Sequence, residues 1–220
     1  MSEPATICLE AMISQAEGPA LTAAGQQLST YLGSAIRQVW PVRLGLRGAV
    51  ADIQTDTPGT VIVISLLVDA ERIGEPWPTT EARWRAYVQA LVALGPPVVI
   101  CTIFRVVADR ARLSRGGASL PLIERIRRLN RLAAELSRET GCYVADIDRT
   151  MADVGARKTQ ADYRLSTPAA AEAAGHAIAW ALLSGPLDDV VSPEIQEKAR
   201  AIHGGGGHAA TVLGRRLAQA

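Results

Sequence analysis

The chain has 220 residues, of which 48% are hydrophobic and 20% charged, and its formal net charge is +1. This length and composition are typical of a globular domain with a full core and exclude a disordered chain. A charge this close to zero gives no overall attraction to nucleic acid or to an anionic membrane surface, and the longest apolar run is far shorter than the roughly 20 residues of a membrane helix. We therefore predict no nucleic-acid partner and no membrane insertion.

The three cysteines, Cys8, Cys101 and Cys142, are odd in number and widely spaced, and two of them lie in apolar runs. This pattern predicts reduced core cysteines, with neither disulfides nor a metal site. The first residues carry no basic stretch followed by an apolar one, which predicts no secretion signal. Both observations favour a cytoplasmic protein, and the abundance of arginine and alanine is typical of a GC-rich bacterial genome.

Five short apolar runs predict buried strands. They are Ala5–Leu9, Val42–Val50, Val61–Val68, Val98–Phe104 and Cys142–Ile147. Each run is nearly continuous in apolar residues, without alternation, which is the pattern of parallel strands covered on both faces.

Helical segments separate these strands. The first is Ala20–Trp40; the second begins near Thr79 or Thr80 and ends at Gly95; the third runs from Ser119 to Gly141; the fourth has Thr167 as its N-cap and Pro168 at its first position. Alternating strands and helices predict an α/β fold, a three-layer α/β/α sandwich with a five-stranded, mostly parallel, doubly wound sheet. Ligands of such sheets bind at the carboxyl ends of the strands.

The character of the chain changes after Pro186. Ser192-Pro193 predicts another helix start, the glycines 204–207 predict a flexible joint, and the residues from His208 predict a last helix. We therefore expect an α/β domain over residues 1–185 and a C-terminal helical appendage over 186–220. Its helices could mediate contacts between copies of the chain, as a homo-oligomer. The histidines 203 and 208, separated by four glycines, are too flexibly connected to form a metal site.

Several stretches resemble the SGNH/GDSL hydrolases in order and spacing over roughly residues 5–183. Leu44 to Val50 is similar to the family's second block, in which the amide of a glycine, here Gly48, lines the oxyanion hole. The run from Val61 to Asp69 resembles the third block, and Asp162 to Trp180 resembles the last, in which Asp-x-x-His precedes a helix with a Gly-His pair near Gly175. The resemblance implies an SGNH-hydrolase/flavodoxin-like sheet and an ester-hydrolysing ancestor.

The residues that carry catalysis in that family are changed here. In this alignment Glu10 stands at the aspartate of Gly-Asp-Ser and Ala11 at the serine, which leaves no nucleophile there. Asp69 stands at the asparagine, where a carboxylate cannot donate to an oxyanion, and Leu67 at the neighbouring glycine. Asp162 is retained, but Leu165 occupies the histidine position.

The main interpretation is therefore a pseudoenzyme, a catalytically degenerate SGNH-like module that binds a ligand or a protein partner as a scaffold. The alternative is a divergent esterase or acyl hydrolase with a non-standard nucleophile such as Ser14, which also has an ordinary explanation as a loop or cap serine. An unrelated flavodoxin-like module is disfavoured because no glycine-rich phosphate loop follows the first strand. No cofactor and no metal are predicted.

Further charged residues are expected to surround the same crevice. They are Glu71, Arg72, Arg105, Asp148 and Arg164. They could line a polar pocket, Glu10 and Asp69 could share a proton or hold a cation, or arginine–carboxylate pairs could close the former site. Residues 105–131 also hold eight arginines, opposed by Asp109 and Glu124, which indicates either a surface for a small anionic ligand or partner, or a solvated helix face.

Overall fold

The computed structural model describes residues 4–107, 119–155 and 160–203. Within them the chain forms one five-stranded sheet, with β1 at Ile7–Met12, β2 at Val42–Leu46, β3 at Thr60–Ser65, β4 at Val98–Cys101 and β5 at Tyr143–Ala145. The strand order is β2-β1-β3-β4-β5 and every neighbouring pair is parallel. The doubly wound α/β sandwich is thus confirmed, with all described pairs parallel.

Helices cover both faces of the sheet. They are α1 at Gly18–Ile36, α2 at Trp77–Val92, α3 at Ser119–Thr140, α4 at Ile147–Val154, α5 at Pro168–Leu182 and α6 at Pro193–His203. Three short 3₁₀ helices, Gln15–Glu17, Val50–Asp52 and Leu66–Asp69, lie in the connections. As predicted, Pro168 opens α5 and the Thr167 side chain accepts the Ala170 N–H.

The strands divide the core into two layers because successive side chains point to opposite faces. Leu9, Ala11 and Val63 are fully buried on the face covered by α1 and α5. Ile62 and Ile64 are fully buried on the other face, against α2 and α3. Strands buried on both faces explain why the sequence shows continuous apolar runs.

All five strands end at residues other than those the sequence predicts. β2, β3 and β5 each end two to four residues before the predicted end, at Leu46, Ser65 and Ala145. Strand β1 runs to Met12 instead of Leu9, which brings Ser14 to within two residues of its carboxyl end. Strand β4 ends at Cys101 and not at Phe104, because the Asn130 side chain takes over the backbone groups of Ile103. The Asn130 amide accepts the Ile103 N–H at 2.8 Å and donates to its carbonyl at 2.7 Å. A neighbouring strand cannot bond to groups already engaged in this way.

The first part of the predicted appendage packs on the body of the protein. Leu187, Val191 and Ala199 are fully buried in the same core cluster as α1 and α5. The glycine joint and the last predicted helix, residues 204–220, lie outside the described residues, so the division at residue 185 stays a prediction. Cys8, Cys101 and Cys142 are buried and unpaired, as the sequence predicts. None of the described helices combines the length and apolar character needed to cross a membrane.

Helices α1 and α5 approach each other closely at Gly175. A Cβ atom at this position would lie 2.6 Å from Ala23 Cβ and 2.8 Å from the Ala24 backbone nitrogen. Such distances require the two helices to move apart, which costs about 1–3 kcal/mol for an overpacked core.

We expect Gly175→Ala to lower the free energy of unfolding by about 1–3 kcal/mol, measured by urea denaturation. In an uncrowded helix the same change would stabilise the protein by about 1 kcal/mol, so the sign of the change in unfolding free energy shows whether the two helices are in close contact at this position. Gly74→Ala is the control, since a Cβ there meets nothing within 4 Å. A stabilised Gly175→Ala protein would contradict the close approach.

Candidate active site

A crevice lies where three strands end. Its volume is about 390 Å³, and it is lined by the ends of β1, β2 and β3 and by one side of α2: Met12, Ile13, Arg47, Gly48, Ser65, Val68, Asp69, Arg72, Arg83, Trp84 and Tyr87. Strand β1 lies between β2 and β3. The chain passes from β1 to β2 on one side of it and then crosses to β3 on the other side, so the strand order reverses at β1. This is the switch point at which doubly wound sheets bind their ligands.

Ser14 follows β1 at this edge and contacts a buried carboxyl group. Its Oγ donates to Glu17 Oε2 at 2.8 Å, and its backbone N–H donates to the same oxygen at 2.9 Å. The other oxygen of Glu17 accepts the Ser65 hydroxyl at 2.5 Å. Ser65 lies at the end of β3 and lines the crevice, so one carboxyl group joins the ends of two strands to the start of α1.

Burial decides the protonation behaviour of Glu17. The residue is only 5% exposed, and desolvation raises the pKa of its carboxyl group above the ordinary value of 4.5, although the Ser65 and Ser14 hydrogen bonds oppose the shift. A hydroxyl within hydrogen-bond reach of a base that a third group orients is the general arrangement of an activated nucleophile. The same contacts also form a capping box at the 3₁₀ helix, which would hold Ser14 in a purely structural role.

Ala11, which the sequence resemblance places at the family's serine, lies inside β1. Ala11 is fully buried within β1, on the face covered by α1 and α5, where no substrate reaches it. Because the strand continues to Met12, the serine that follows the strand is Ser14. Sequence reasoning named Ser14 as the alternative nucleophile but missed Glu17. The signal was present as Ser14-x-x-Glu17, the spacing of a capping box.

Glu10 lies next to the crevice and is neutralised by an arginine. Both of its oxygens accept from Arg47, which makes a two-pronged ion pair. Its carboxylate lies over Gly45, where a Cβ would come within 2.8 Å of Oε1. Gly48 lines the crevice three residues further on, and a Cβ at this position would meet only Asp52 Oδ2, at 3.8 Å. Gly48 therefore has the open surroundings expected of an oxyanion-hole glycine.

Asp69, which the sequence resemblance places at the family's asparagine, ends the 3₁₀ helix Leu66–Asp69 and follows Val68. Both line the crevice, but Val68 is 45% exposed whereas Asp69 is only 2% exposed. Asp69 Oδ2 accepts from Arg83 at 2.5 Å and from the Trp84 indole at 2.6 Å, and Oδ1 is paired with Arg72 at 3.1 Å. Neither residue supplies the amide donor of the family. Leu67 is buried in the core.

The arginine network around Asp69 extends away from the crevice. Arg83 also forms a two-pronged pair with Glu75, and its hydrogen bonds lower the pKa of Glu75 to about 2. Arg125 is buried and donates to the Asp69 carbonyl at 2.7 Å and to Glu75 at 3.2 Å. This arginine of the 105–131 run is therefore part of the internal structure and not of a solvated face. Arg110, Arg112 and Arg115 lie outside the described residues.

The Asp162–Leu165 segment contributes no imidazole. Asp162 accepts the backbone N–H of Arg164 at 3.0 Å, and Leu165 is buried in the core beneath α5. The Arg164 side chain pairs with Glu71 at 2.6 Å, and the Tyr163 hydroxyl donates to the same carboxylate at 2.5 Å. These hydrogen bonds hold the pKa of Glu71 below its ordinary value.

Arg105 and Asp148 form a separate pair near the ends of β4 and β5, 2.5 Å apart. Of the five additional charged residues predicted around the crevice, Arg72 is the one that lines it. The expected pairing of Glu10 with Asp69 is not observed, because each is bound to its own arginines. Their contacts agree with the interpretation of arginine–carboxylate pairing.

The described histidines lie away from Ser14. His176 is buried in α5, where its Nδ1 is 2.7 Å from the Tyr31 hydroxyl, and burial lowers its pKa. His203 Nε2 is 2.7 Å from Ser34 Oγ, but Ser34 lies in the last turn of α1, at the end opposite to Ser14. His208 lies outside the described residues. In the described part of the chain, no serine–histidine pair is present at the carboxyl edge.

Known structures share this fold at low sequence identity. The acetyl xylan esterase AlAXEase is 10% identical, with a TM-score of 0.52 over 78% of this chain and 98% of that chain. An Axe2 acetyl xylan esterase variant from Geobacillus stearothermophilus is 12% identical, with a TM-score of 0.50 over 87% and 98%. The chain has the fold of these esterases.

A third similar structure, from Slackia heliotrinireducens, is provisionally assigned to the SGNH hydrolases. It is 17% identical, with a TM-score of 0.48 over 82% of this chain and 100% of that chain. The fold assignment rests on the two esterases. No family model matches the sequence, and a search of curated proteins finds no match.

The raised pKa of Glu17 predicts a specific dependence of stability on pH. The folded protein binds this proton more tightly than the unfolded chain, so the contribution of the carboxyl group to stability is greatest below pH 4.5 and falls as the pH rises through the raised pKa. The free energy of unfolding of the native protein, measured by urea denaturation, should therefore fall relative to Glu17→Gln as the pH rises above 4.5.

Glu75→Gln is the matched control with the opposite sign. Because the pKa of Glu75 is lowered to about 2, the native protein should lose stability relative to this variant as the pH falls from 4.5 toward 2. Parallel pH profiles for the native protein and Glu17→Gln would contradict the assigned state of Glu17.

Proposed function

We propose that this protein is a divergent ester or acyl hydrolase, with Ser14 as its nucleophile and Glu17 as its general base. The observation that carries the proposal is the 2.8 Å contact between the Ser14 hydroxyl and a buried carboxyl group whose pKa is raised. The esterase fold of the similar structures supports it, because Ser14 lies at the edge of the sheet that carries the crevice.

The reaction proceeds by acyl transfer through Ser14. Glu17 Oε2 accepts the hydroxyl proton as Ser14 Oγ forms a bond to the ester carbonyl carbon, and the proton then goes to the departing alcohol as its bond to that carbon breaks. Water hydrolyses the acyl-serine in the same way, giving its proton to Glu17 and restoring the serine. A base is most effective when its pKa lies near the working pH, so the raised pKa suits Glu17 to this role.

Stabilisation of the oxyanion falls to the β2 side of the crevice. The Ser14 N–H is already bonded to Glu17, so it is not free to serve the substrate in this arrangement. Gly48 lies at the crevice with open space around its α-carbon, and we assign its backbone N–H as the oxyanion donor. With a carboxyl base and without the family's asparagine, we expect turnover slower than that of a serine–histidine esterase.

A catalytically silent ligand-binding module is the second candidate function. It is favoured by the sequence resemblance, which places Asp69 at the family's asparagine and Leu165 at its histidine, and by the burial of both side chains. In this case the crevice binds a ligand, and the Ser14–Glu17 contact is only a capping box. The partner of such a binding module could equally be a protein, bound through the C-terminal helices or at the crevice, which would make the module a scaffold. The buried, unpaired cysteines support a reducing, cytoplasmic location for either function.

A fluorophosphonate probe separates the two functions. Under the hydrolase proposal the probe labels Ser14, and Ser14→Ala abolishes labelling and lowers kcat/KM for short-chain esters by roughly 10³-fold or more. Glu17→Gln, which keeps the capping geometry but removes the base, should give a comparable loss. In the native protein, kcat/KM should rise with pH through the raised pKa of Glu17.

Ser184→Ala is the control, because this hydroxyl bonds to the Trp180 carbonyl at the end of α5 and should leave labelling unchanged. A correctly folded native protein that is neither labelled nor able to hydrolyse esters would exclude the hydrolase and leave the binding module.

A further inference from the structure

We propose that Arg72 binds an anionic group of the substrate, so that the preferred esters carry a carboxylate or phosphate close to the ester bond. That the ligand is an ester rests on the proposed hydrolase function; that it is anionic rests on the residues that line the crevice.

The crevice has an excess of positive charge. Three arginines line it, Arg47, Arg72 and Arg83, against one carboxylate, Asp69. Glu10 neutralises Arg47 from the side, and Glu75 neutralises part of the charge of Arg83. Asp69 pairs with both Arg72 and Arg83, and Glu75 is shared between Arg83 and the buried Arg125. The network therefore holds four guanidinium groups against three carboxylates, those of Glu10, Asp69 and Glu75.

The three guanidinium groups differ in how many of their donors are engaged. Glu10 takes both Nε and Nη2 of Arg47, and Glu75 and Asp69 take both terminal nitrogens of Arg83. Arg72 is paired only through Nε, with Asp69 Oδ1 at 3.1 Å, and its side chain is 57% exposed. In the described part of the chain, the Arg72 guanidinium forms no other hydrogen bond or ion pair, which leaves its two terminal amino groups for a ligand.

The geometry of a guanidinium suits an oxyanion. Its two terminal nitrogens form a planar fork that can donate two parallel hydrogen bonds to a carboxylate or phosphate. The backbone of Arg72 is fixed by the bond from its N–H to the Asp69 carbonyl at 3.2 Å, and the Asp69 carboxylate fixes Nε. The fork is therefore held in place before a ligand arrives, which reduces the entropy lost on binding.

The rest of the wall limits the size and character of the substrate. Met12, Trp84 and Tyr87 supply apolar surface beside the arginine, and the Tyr87 hydroxyl is held by Met12 Sδ at 2.9 Å. A volume of about 390 Å³ lies at the small end of ligand pockets. These features fit a small ester that carries an anionic group and a short apolar portion.

The test compares esters that share a leaving group. The p-nitrophenyl esters of acetate, succinate and phosphonoacetate are neutral, carboxylate-bearing and phosphonate-bearing respectively. We expect higher kcat/KM for the anionic esters than for the acetate ester, mainly through lower KM. The ratio of kcat/KM between the succinate and phosphonoacetate esters identifies which oxyanion the site prefers. Arg72→Gln should lower the anionic-to-neutral ratio of kcat/KM at least about tenfold, and Arg72→Lys should restore part of it.

Arg131→Gln is the matched control. This arginine is also exposed and paired with one carboxylate, Glu135 at 2.8 Å, but it lies on α3 away from the crevice, and its loss should leave the ratio unchanged. An equal effect of Arg72→Gln on neutral and anionic esters would overturn the inference while leaving the hydrolase proposal intact.

Calorimetric titration of Ser14→Ala with succinate and with inorganic phosphate separates binding from catalysis. Binding that Arg72→Gln weakens at least about tenfold supports the anion site, even if no ester is hydrolysed and the hydrolase proposal fails. The absence of binding by either anion, together with ester hydrolysis that shows no anionic preference, would refute it.

Discussion

The site depends on one carboxyl group that is buried where water cannot solvate it. Glu17 precedes α1 and accepts three hydrogen bonds, from the Ser14 N–H, the Ser14 hydroxyl and the Ser65 hydroxyl. Ser65 continues the row of Val61 and Val63 on the face of β3 that is covered by α1, so the sheet itself aims its hydroxyl at Glu17. Without this carboxyl group, the buried Ser65 hydroxyl would lose the acceptor of its hydrogen bond, and the connection from β1 to α1 would lose its link to β3.

The same edge shows how an esterase-like fold can carry a different set of charges. Glu10 and Asp69 would both be costly as isolated buried carboxylates, and each is compensated by arginine donors. Glu17 is buried and, in the described part of the chain, is not paired with an arginine; desolvation therefore raises its pKa, whereas the hydrogen bonds from Arg83 lower the pKa of Glu75. Such differences in pKa between nearby carboxyl groups distinguish those that can exchange protons near neutral pH from those that stay ionised.

The sheet could be predicted from the sequence because its strands are buried on both faces and therefore apolar throughout, and because Thr167-Pro168 and Gly141 mark helix ends by local rules. The site could be predicted only in part. A continuous apolar run does not reveal where a strand stops: it predicts an end of β1 at Leu9, whereas the strand continues to Met12. The Glu17–Ser65 contact joins residues 48 apart in sequence, and no local pattern encodes it.

The most direct test of the account is the titration of the Glu17 carboxyl carbon, followed by carbon NMR in protein labelled at glutamate carboxyls and assigned by its loss in Glu17→Gln. We predict a midpoint above 4.5, and a change in that midpoint in Ser14→Ala, because the two groups share a hydrogen bond. A midpoint at or below 4.5 that Ser14→Ala leaves unchanged would show a solvated carboxylate without a functional link to the serine, and would contradict the account.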